Sequence, residues 1–442
     1  MPHVSSETFL FSESFFLSET FLLSDIRCHG HPPRNHPAFP PSFTDGPYNM
    51  HILVIPSFLP PYGGSFAIEQ AKALHAIGNH VGIIHCQQHG LTVYPRLWLS
   101  SCSTPRHEEA AEGIMMLSCG MRGMPRMTHL NQTRHCRHIS RLYDEYVAEY
   151  GHPDIIHAHC SQWAGVAAMA ISRRHGVPYI ITEHIPGMMF RSEYGEGWTR
   201  HQWARQLTQE AMERAEAVIT VSDIVVGDLR EFFGTQFKLH VVSNIIDTTF
   251  FACRGREPRA GRPMRYCCLG IANKREYIRK GYDILLEAFG MMTDDSELHI
   301  AGRGTDGKTL LRIIKDHVPP QRRRQVIVHG DLDRDHVRSL LYHSDALVLA
   351  SRAEVQPLVI LEALSTGIPV VSTDAVPYYP EYAGSVLIAK AGDADTLRLR
   401  MEEVAHIMPS PRNHDIVEGM ASPETVAREI QRIMEAGKIK TQ

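Results

Sequence analysis

Ser351-Arg-Ala-Glu354-Val-Gln-Pro357-Leu-Val-Ile-Leu-Glu362-Ala-Leu-Ser-Thr-Gly367-Ile-Pro369-Val-Val-Ser-Thr373 is the stretch whose reading decides the fold. The apolar run Ala346–Leu349 before it reads as a buried strand, and Pro369–Ser372 reads as the next one. Between them a short loop carries Glu354, and Pro357 stands where a first helical position is expected. Gly367 and Pro369 then stop that helix within a few turns. This arrangement leaves the first-turn N–H groups of Leu358 and Val359, at the positive end of a helix dipole, aimed past the strand end. Such a helix start is a seat for phosphate or pyrophosphate. Glu354 in the loop can reach a sugar hydroxyl, and Glu362, on one helix face, can accept bonds from ribose hydroxyls.

The same alternation runs outward in both directions, short β-branched runs separated by amphipathic helical patterns, as α/β domains with parallel sheets require. Strands are predicted at His51–Ile55, Val81–Cys86, Gly113–Cys119, Asp154–His157, Tyr179–Thr182, Ala217–Val221 and Lys238–Val242. A second series follows at Arg265–Gly270, Glu297–Ala301, Gln325–Val328, Ala346–Leu349, Pro369–Ser372 and Ser385–Ile388. Helical patterns include Ser65–Ile77, Trp163–His175, Tyr282–Met291 and Lys308–His317. The polar, turn-rich Arg254-Gly-Arg-Glu-Pro-Arg-Ala-Gly-Arg-Pro263 lies where the first series gives way to the second, as a linker should. A chain of 442 residues exceeds one ordinary core. The expected division is 50–243 and 244–421, two doubly wound Rossmann-like domains facing each other across a cleft, where ligands bind at strand ends. Residues 422–442 read as an amphipathic helix that either caps the structure or crosses back to the first domain. Residues 1–49 repeat Ser6-Glu-Thr-Phe-Leu, Ser12-Glu-Ser-Phe-Phe and Ser18-Glu-Thr-Phe-Leu before a Pro/His-rich tract. They read as a low-complexity, disordered extension, with Met50 as an alternative translation start.

Composition narrows the class. Hydrophobic residues make up 43% and charged residues 21%, as in ordinary soluble proteins. A formal net charge of −4 supplies no global basic field, so nucleic acid is not expected as a partner. No apolar stretch reaches the length of about 18 residues that a membrane span needs, and the glutamates of the first repeats exclude a signal peptide. The nine cysteines are scattered without a CxxC, which reads as reduced thiols in the cytoplasm rather than disulfides or a zinc site.

Glu354 and Glu362, eight positions apart and running into Glu362-Ala-Leu-Ser-Thr-Gly367-Ile-Pro369-Val-Val, resemble the signature of the retaining glycosyltransferases of family 4. These are the group 1 glycosyltransferases, of GT-B fold. The resemblance implies that Glu354 contacts the transferred sugar and Glu362 the nucleotide ribose. Val355-Gln356-Pro357 replaces a Gly/Phe-Gly turn of many members, and Pro357 lacks one backbone donor. The segment Leu269-Gly270 through Lys274-Arg275 to Arg279-Lys280-Gly281 resembles the family's basic loop and helix entry. By resemblance Lys280, with Lys274 or Arg275 as partner, neutralises the donor diphosphate, where fixed cations favour departure of the nucleotide. Gly302-Arg303-Gly304 resembles the turn beneath the nucleotide, and Val328-His329-Gly330 the segment that meets the base. In the first half, Pro60-Pro-Tyr-Gly63-Gly64 resembles the loop that brings backbone to the donor phosphate. Asp154-Ile-Ile-His157-Ala-His159 and Thr182-Glu183-His184 resemble strand-end histidine motifs, His184 being the best match to the active-site histidine. Val242-Ser243-Asn244-Ile245-Ile-Asp247 resembles the junction motif, with serine and isoleucine replacing proline and glycine. The likeness covers roughly residues 50 to 408.

The implied function is hexosyl transfer from a nucleotide-sugar donor to an acceptor hydroxyl, with retention of configuration, in polysaccharide or glycolipid assembly. A non-catalytic sugar-nucleotide-binding protein and a GT-B sugar-nucleotide epimerase are the competing readings. Asp331-Leu-Asp333 and Asp393-Ala-Asp395 precede predicted helices and read as helix-start carboxylates, so neither metal nor cofactor is expected. The acceptor is a carbohydrate or a lipid-linked molecule, shaped by the loops 87–112 and 185–199. The helix predicted over Asn131–Tyr150 aligns Arg134, Arg137 and Arg141, a face suited to an anionic membrane or to phosphates of a lipid-linked acceptor. A cytoplasmic protein, peripheral at the inner membrane face, is the corresponding expectation.

Overall fold

The computed structural model describes residues 49–60, 65–92, 94–184, 201–254, 261–272, 276–377, 380–382 and 384–438. The expectations for residues 1–48 and for the loop 185–199 therefore lie outside the described residues, as do those for Gly63, Gly64, Lys274 and Arg275.

The first domain is an eight-stranded sheet in the order β3-β4-β2-β1-β5-β6-β7-β8. Its strands are β1 (His51–Pro56), β2 (His80–Gly90), β3 (Arg106–Ala111), β4 (Ile114–Gly123), β5 (Ile155–His159), β6 (Tyr179–Glu183), β7 (Ala217–Thr220) and β8 (Leu239–Val241). All pairings are parallel except that of β3 with β4. The helices are α1 (Ser65–Ala76), α2 (Pro95–Ser100), α3 (Thr128–Tyr150), α4 (Val166–His175), α5 (Gln202–Arg214) and α6 (Asp223–Phe233). Strands β1, β5 and β6 are buried along most of their length, which explains their unbroken apolar runs.

The second domain is a six-stranded, wholly parallel sheet in the order β11-β10-β9-β12-β13-β14. It comprises β9 (Arg265–Leu269), β10 (Glu297–Ala301), β11 (Val326–Gly330), β12 (Ala346–Val348), β13 (Val370–Thr373) and β14 (Val386–Ala389). Its helices are α7 (Glu276–Arg279), α8 (Tyr282–Met291), α9 (Lys308–His317), α10 (Arg334–His343), α11 (Leu358–Ser365), α12 (Ala394–Val404) and α13 (Pro411–Ala421), followed by α14 (Pro423–Lys438). Each sheet is covered on both faces by separate apolar clusters. The chain is thus two Rossmann-like α/β units in series.

Three local expectations need correction. β3 has no counterpart in the predicted strands, because Arg106-His-Glu-Glu-Ala-Ala is an exposed edge strand with no apolar alternation. β2 and β4 outrun their predicted ends because the polar Gln87–His89 pair with Gly120–Arg122. Pro357 is the residue before α11 rather than its first helical position.

The final helix crosses back. Val426, Ala427, Ile430, Ile433 and Met434 of α14 pack in one cluster with Ile52, Val54 and Leu74 of the first domain. Asn79 Nδ2 also donates to Gln431 Oε1 at 3.0 Å. Ile430→Ala should therefore lower stability by about 2–5 kcal/mol, the usual cost of emptying a packed aliphatic site. Equilibrium urea unfolding measures this, and an unchanged midpoint would show that α14 is no part of that core.

Candidate active site

Close backbone packing builds the floor of the site. Gly302, just past β10, has φ +123°, and a Cβ there would lie 2.3 Å from the Gly270 carbonyl oxygen. Gly302 N–H donates to Gly330 at 2.7 Å and Gly270 N–H to Ala301 at 3.0 Å, so the ends of β9, β10 and β11 are laced together. Gly281 has φ +66°, and its Cβ would fall 2.0 Å from the Ala350 oxygen. Only glycine fits there, and its fit presses the preceding Lys280 against the end of β12.

Glu354 lies at the centre, its side chain only 8% exposed. Lys280 Nζ donates to its Oε1 at 2.6 Å, Ser351 Oγ donates to the same oxygen at 2.8 Å, and the Arg279 guanidinium stands 3.1 Å from Oε2. Burial by itself would raise the carboxyl's pKa. The Lys280 ammonium, then the Arg279 guanidinium, outweigh it and hold the pKa at about 2. Arg279 also donates to Ala353 O at 2.8 Å and to Glu276, while its own carbonyl accepts from Arg352 N–H at 2.7 Å. Arg352 in turn grips Asp283 at 2.8 and 2.7 Å. The loop bearing Glu354 is therefore bolted to the segment bearing Lys280.

α11 begins beside this cluster with no side chain capping its first turn, where the N–H groups of Leu358 and Val359 lie. Glu362 sits one turn further along. Burial raises its carboxyl to about 7, opposed only by Arg334. Asp333 and Asp393 cap α10 and α12, accepting from His336 N and Thr396 N. Among the described residues no group of three or more His, Cys, Asp or Glu could hold a metal ion.

Across the cleft, β5 and β6 end on His159 and on Glu183, which precedes His184. His159 Nδ1 and His184 Nε2 are 3.1 Å apart, and His184 stacks on Phe66 with ring centroids 3.6 Å apart. Burial, with His157 adding to it, lowers the His184 pKa to about 3, so the ring is neutral near pH 7. His157 pairs with Thr182 Oγ1 at 2.7 Å. Glu183 accepts from both the N–H and the hydroxyl of Ser161, fixing a turn in which Cys160 and Trp163 adopt positive φ. Non-glycine residues tolerate that conformation only when their surroundings enforce it.

The two halves meet through the loop after Glu354. Ser222 Oγ donates to Val355 O at 2.5 Å, Asn244 N–H to Gln356 Oε1 at 2.8 Å, and Gln356 Nε2 to Ser243 Oγ at 2.9 Å. In the second domain Gly302 and Gly304 follow β10, Glu354 follows β12, Lys280 lies between α7 and α8, Leu358 and Val359 open α11 and Glu362 lies one turn along it, while His184 follows β6 of the first domain. Arg279, Gln356 and Glu183 escaped the sequence reading as site residues. A buried arginine has no signature in a basic run, although its position next to Lys280-Gly281 was a clue. The arginines of α3 do not form a free cationic row. Arg134 donates to Arg122 O, and Arg141 to Glu145 and Ser103 O.

The raised pKa of Glu362 makes stability depend on pH. The folded protein keeps this proton up to about pH 7, whereas an unfolded glutamate releases it near pKa ~4.3. The folded state binds the extra proton across that window, so wild-type stability falls as pH rises through it. Glu362→Gln lacks this loss, and its advantage in melting temperature over wild type should grow from about pH 5 to about pH 8. A pH-independent difference would show that Glu362 titrates normally.

Comparison with known proteins agrees with this geometry. The model for Glycosyltransferase Family 4 matches residues 63–250, and that for Glycosyl transferases group 1 matches residues 272–417. The chain is 27% identical over 332 residues to TuaC of Bacillus subtilis, a glycosyltransferase named for teichuronic acid biosynthesis, covering 73% of this chain and 79% of that protein. It is 29% identical over 231 residues to a glycogen synthase of Mycobacterium tuberculosis, covering 50% of this chain and 52% of that enzyme. Among solved structures, sucrose-phosphate synthase of Thermosynechococcus elongatus superposes with a TM-score of 0.67 at 18% identity, over 87% of this chain and 98% of that one. Anabaena Alr3699/HepE in complex with UDP gives 0.64 at 15% identity, over 88% of this chain and 100% of that one. Both likenesses concern the fold, which is that of GT-B enzymes. With two family models spanning both domains and the glutamate pair held at their cleft, the chain belongs to the family 4, group 1 glycosyltransferases.

Proposed function

We propose that the protein transfers a hexosyl group from a nucleotide-sugar to an acceptor hydroxyl, with retention of anomeric configuration, in the assembly of a polysaccharide or glycolipid. The observation that carries this reading is the ion cluster of Lys280, Arg279 and Glu354 beside the uncapped start of α11. A donor diphosphate seated on that helix start meets Lys280, whose ammonium has donors left after its bond to Glu354. Charge grows on the diphosphate as the glycosidic bond breaks, so a cation fixed in advance lowers the barrier. Glu354, kept ionised by its partners, accepts hydrogen bonds from the sugar. Glu362 accepts from the ribose, and a neutral His184 exchanges hydrogen bonds with the sugar from the opposite wall. In this reading the acceptor hydroxyl attacks the face the diphosphate leaves and gives it its proton, so no protein base is required. The solved relative that holds UDP and the relative named for teichuronic acid biosynthesis favour a nucleotide-sugar donor and a polymeric or lipid-linked product.

Thermal stabilisation by UDP, GDP or ADP identifies the donor base, since a ligand that binds only the native state raises its melting temperature. With that donor, Glu362→Ala should mainly weaken nucleotide affinity and Glu354→Ala should mainly lower kcat. Lys280→Ala should cost about 2–4 kcal/mol in kcat/KM. Wild-type turnover by all three variants would sink the assignment. Retention is checked by NMR of the newly formed anomeric centre, where an inverted product would replace front-face attack with direct displacement.

A further inference from the structure

Two thiols stand side by side inside the first sheet. β2 and β4 run parallel with Cys86 directly opposite Cys119. Residues paired in this way point to the same face, and both belong to the apolar cluster that α3 covers. Neighbouring strands lie about 4.8 Å apart, inside the window of about 4.4–6.8 Å between Cα atoms that a disulfide spans. Both cysteines are thiols in this structure, and they hydrogen-bond to each other. A bond between them therefore calls for no strand movement.

The pair is asymmetric. Cys119 keeps 5% of its surface exposed and Cys86 1%, so a small oxidant meets Cys119 first. The hydrogen bond that Cys86 donates lowers the Cys119 thiol below its usual range, and His138 and Arg141 of α3 add to this against burial. The same bond, together with burial, pushes the Cys86 thiol up, and Arg134 opposes that only in part. A thiolate beside a thiol held protonated is the arrangement in which one sulfur reacts and the other resolves the product.

Cys102 is the rival for the same oxidant. It is exposed on the loop beside β4, where Gly120 N–H donates to its carbonyl at 2.7 Å. Its Sγ donates to Thr104 Oγ1 at 3.2 Å and accepts from Thr104 N–H at 3.4 Å, contacts that lower this thiol too. No strand register holds Cys102 against a second cysteine, however, whereas Cys86 and Cys119 are fixed at bonding separation by the ladder on both sides of them.

We propose that Cys86 and Cys119 form a modification site, a dithiol that hydrogen peroxide oxidises to a disulfide and that small dithiols restore by exchange. The Cys119 thiolate attacks one peroxide oxygen, the O–O bond breaks and hydroxide leaves, giving a sulfenic acid at Cys119. The Cys86 sulfur then attacks the Cys119 sulfur, the S–O bond breaks, and the leaving oxygen departs as water with the proton Cys86 gives up. Two thiols and one hydrogen peroxide thus yield one disulfide and two waters. The bond cross-links β2 and β4 just before their polar ends, Gln87–Gly90 and Gly120–Gly123, at the end of the sheet that carries His159 and Glu183. Neither sulfur belongs to the donor site, so this inference stands or falls without reference to any donor.

The test is treatment of the full, previously reduced chain with hydrogen peroxide at neutral pH, followed by peptide mass mapping without reductant. The wild type should yield a linked pair of peptides carrying Cys86 and Cys119, lighter by two hydrogens, and should regain both thiols with dithiothreitol. The linked pair should be lost in Cys86→Ser and in Cys119→Ser. Peroxide with dimedone should label Cys119 in Cys86→Ser, where nothing resolves the sulfenic acid, and should leave Cys86 unlabelled in Cys119→Ser. Thermal melts establish that each variant is folded, and the wild-type map decides the matter even where a serine costs stability. A wild type in which Cys86 and Cys119 stay unlinked, or in which either bonds to Cys102 instead, overturns the proposal. Labelling of Cys86 rather than Cys119 in the single variants overturns the order of attack.

Discussion

A carboxylate taken almost wholly out of water is the constraint around which the second domain's strand ends are arranged. Glu354 stays ionised only because Lys280 and Arg279 reach it together, and neither cation could be withdrawn without stranding a buried charge. That requirement explains the surrounding architecture. Gly281 lets the chain turn close enough to Ala350 to deliver Lys280, and the grip of Arg352 on Asp283 keeps the two loops from sliding apart. Binding groups positioned this way need no rearrangement when a ligand arrives, which is the condition for electrostatic catalysis.

Two departures from the family pattern meet in space. Gln356 stands in the place of a glycine-rich turn and Ser243 in the place of a proline, and their side chains hydrogen-bond to each other across the domain junction. Gln356 also accepts from Asn244 N–H, so the loop that carries Glu354 is referenced to the first domain through polar contacts. Contacts of this kind can be exchanged for water at modest cost, unlike an apolar seam. Closure of the cleft around a substrate is compatible with such a junction.

Most of the fold was legible because buried parallel strands write continuous apolar runs, and β9 to β14 stand almost where those runs do. β3 was not, since a charged edge strand gains its order from β4 rather than from its own pattern. The direction of α14 was equally hidden, because amphipathicity states that a face is buried and not against what. In the candidate site, the positions of Glu354 past a strand end and of Glu362 on the following helix were readable from spacing, and the segment of Lys280 was singled out by resemblance. Arg279 was not, because a run of basic residues does not reveal which of them turns inward. Gln356 looked like a defect in a motif until its partner on the other domain was located.

The return of α14 to the first domain has a consequence for how the chain is made. Ile430 and Met434 complete a core whose other members, such as Ile52 and Leu74, are synthesised 356 to 382 residues earlier. Domains usually fold as they leave the ribosome, the amino-terminal one first. Here the first sheet waits, with one apolar face covered only in part by α1, until the second domain has been translated and the last helix emerges. The topology thus ties the completion of the first domain's core to the last residues of the chain to be made.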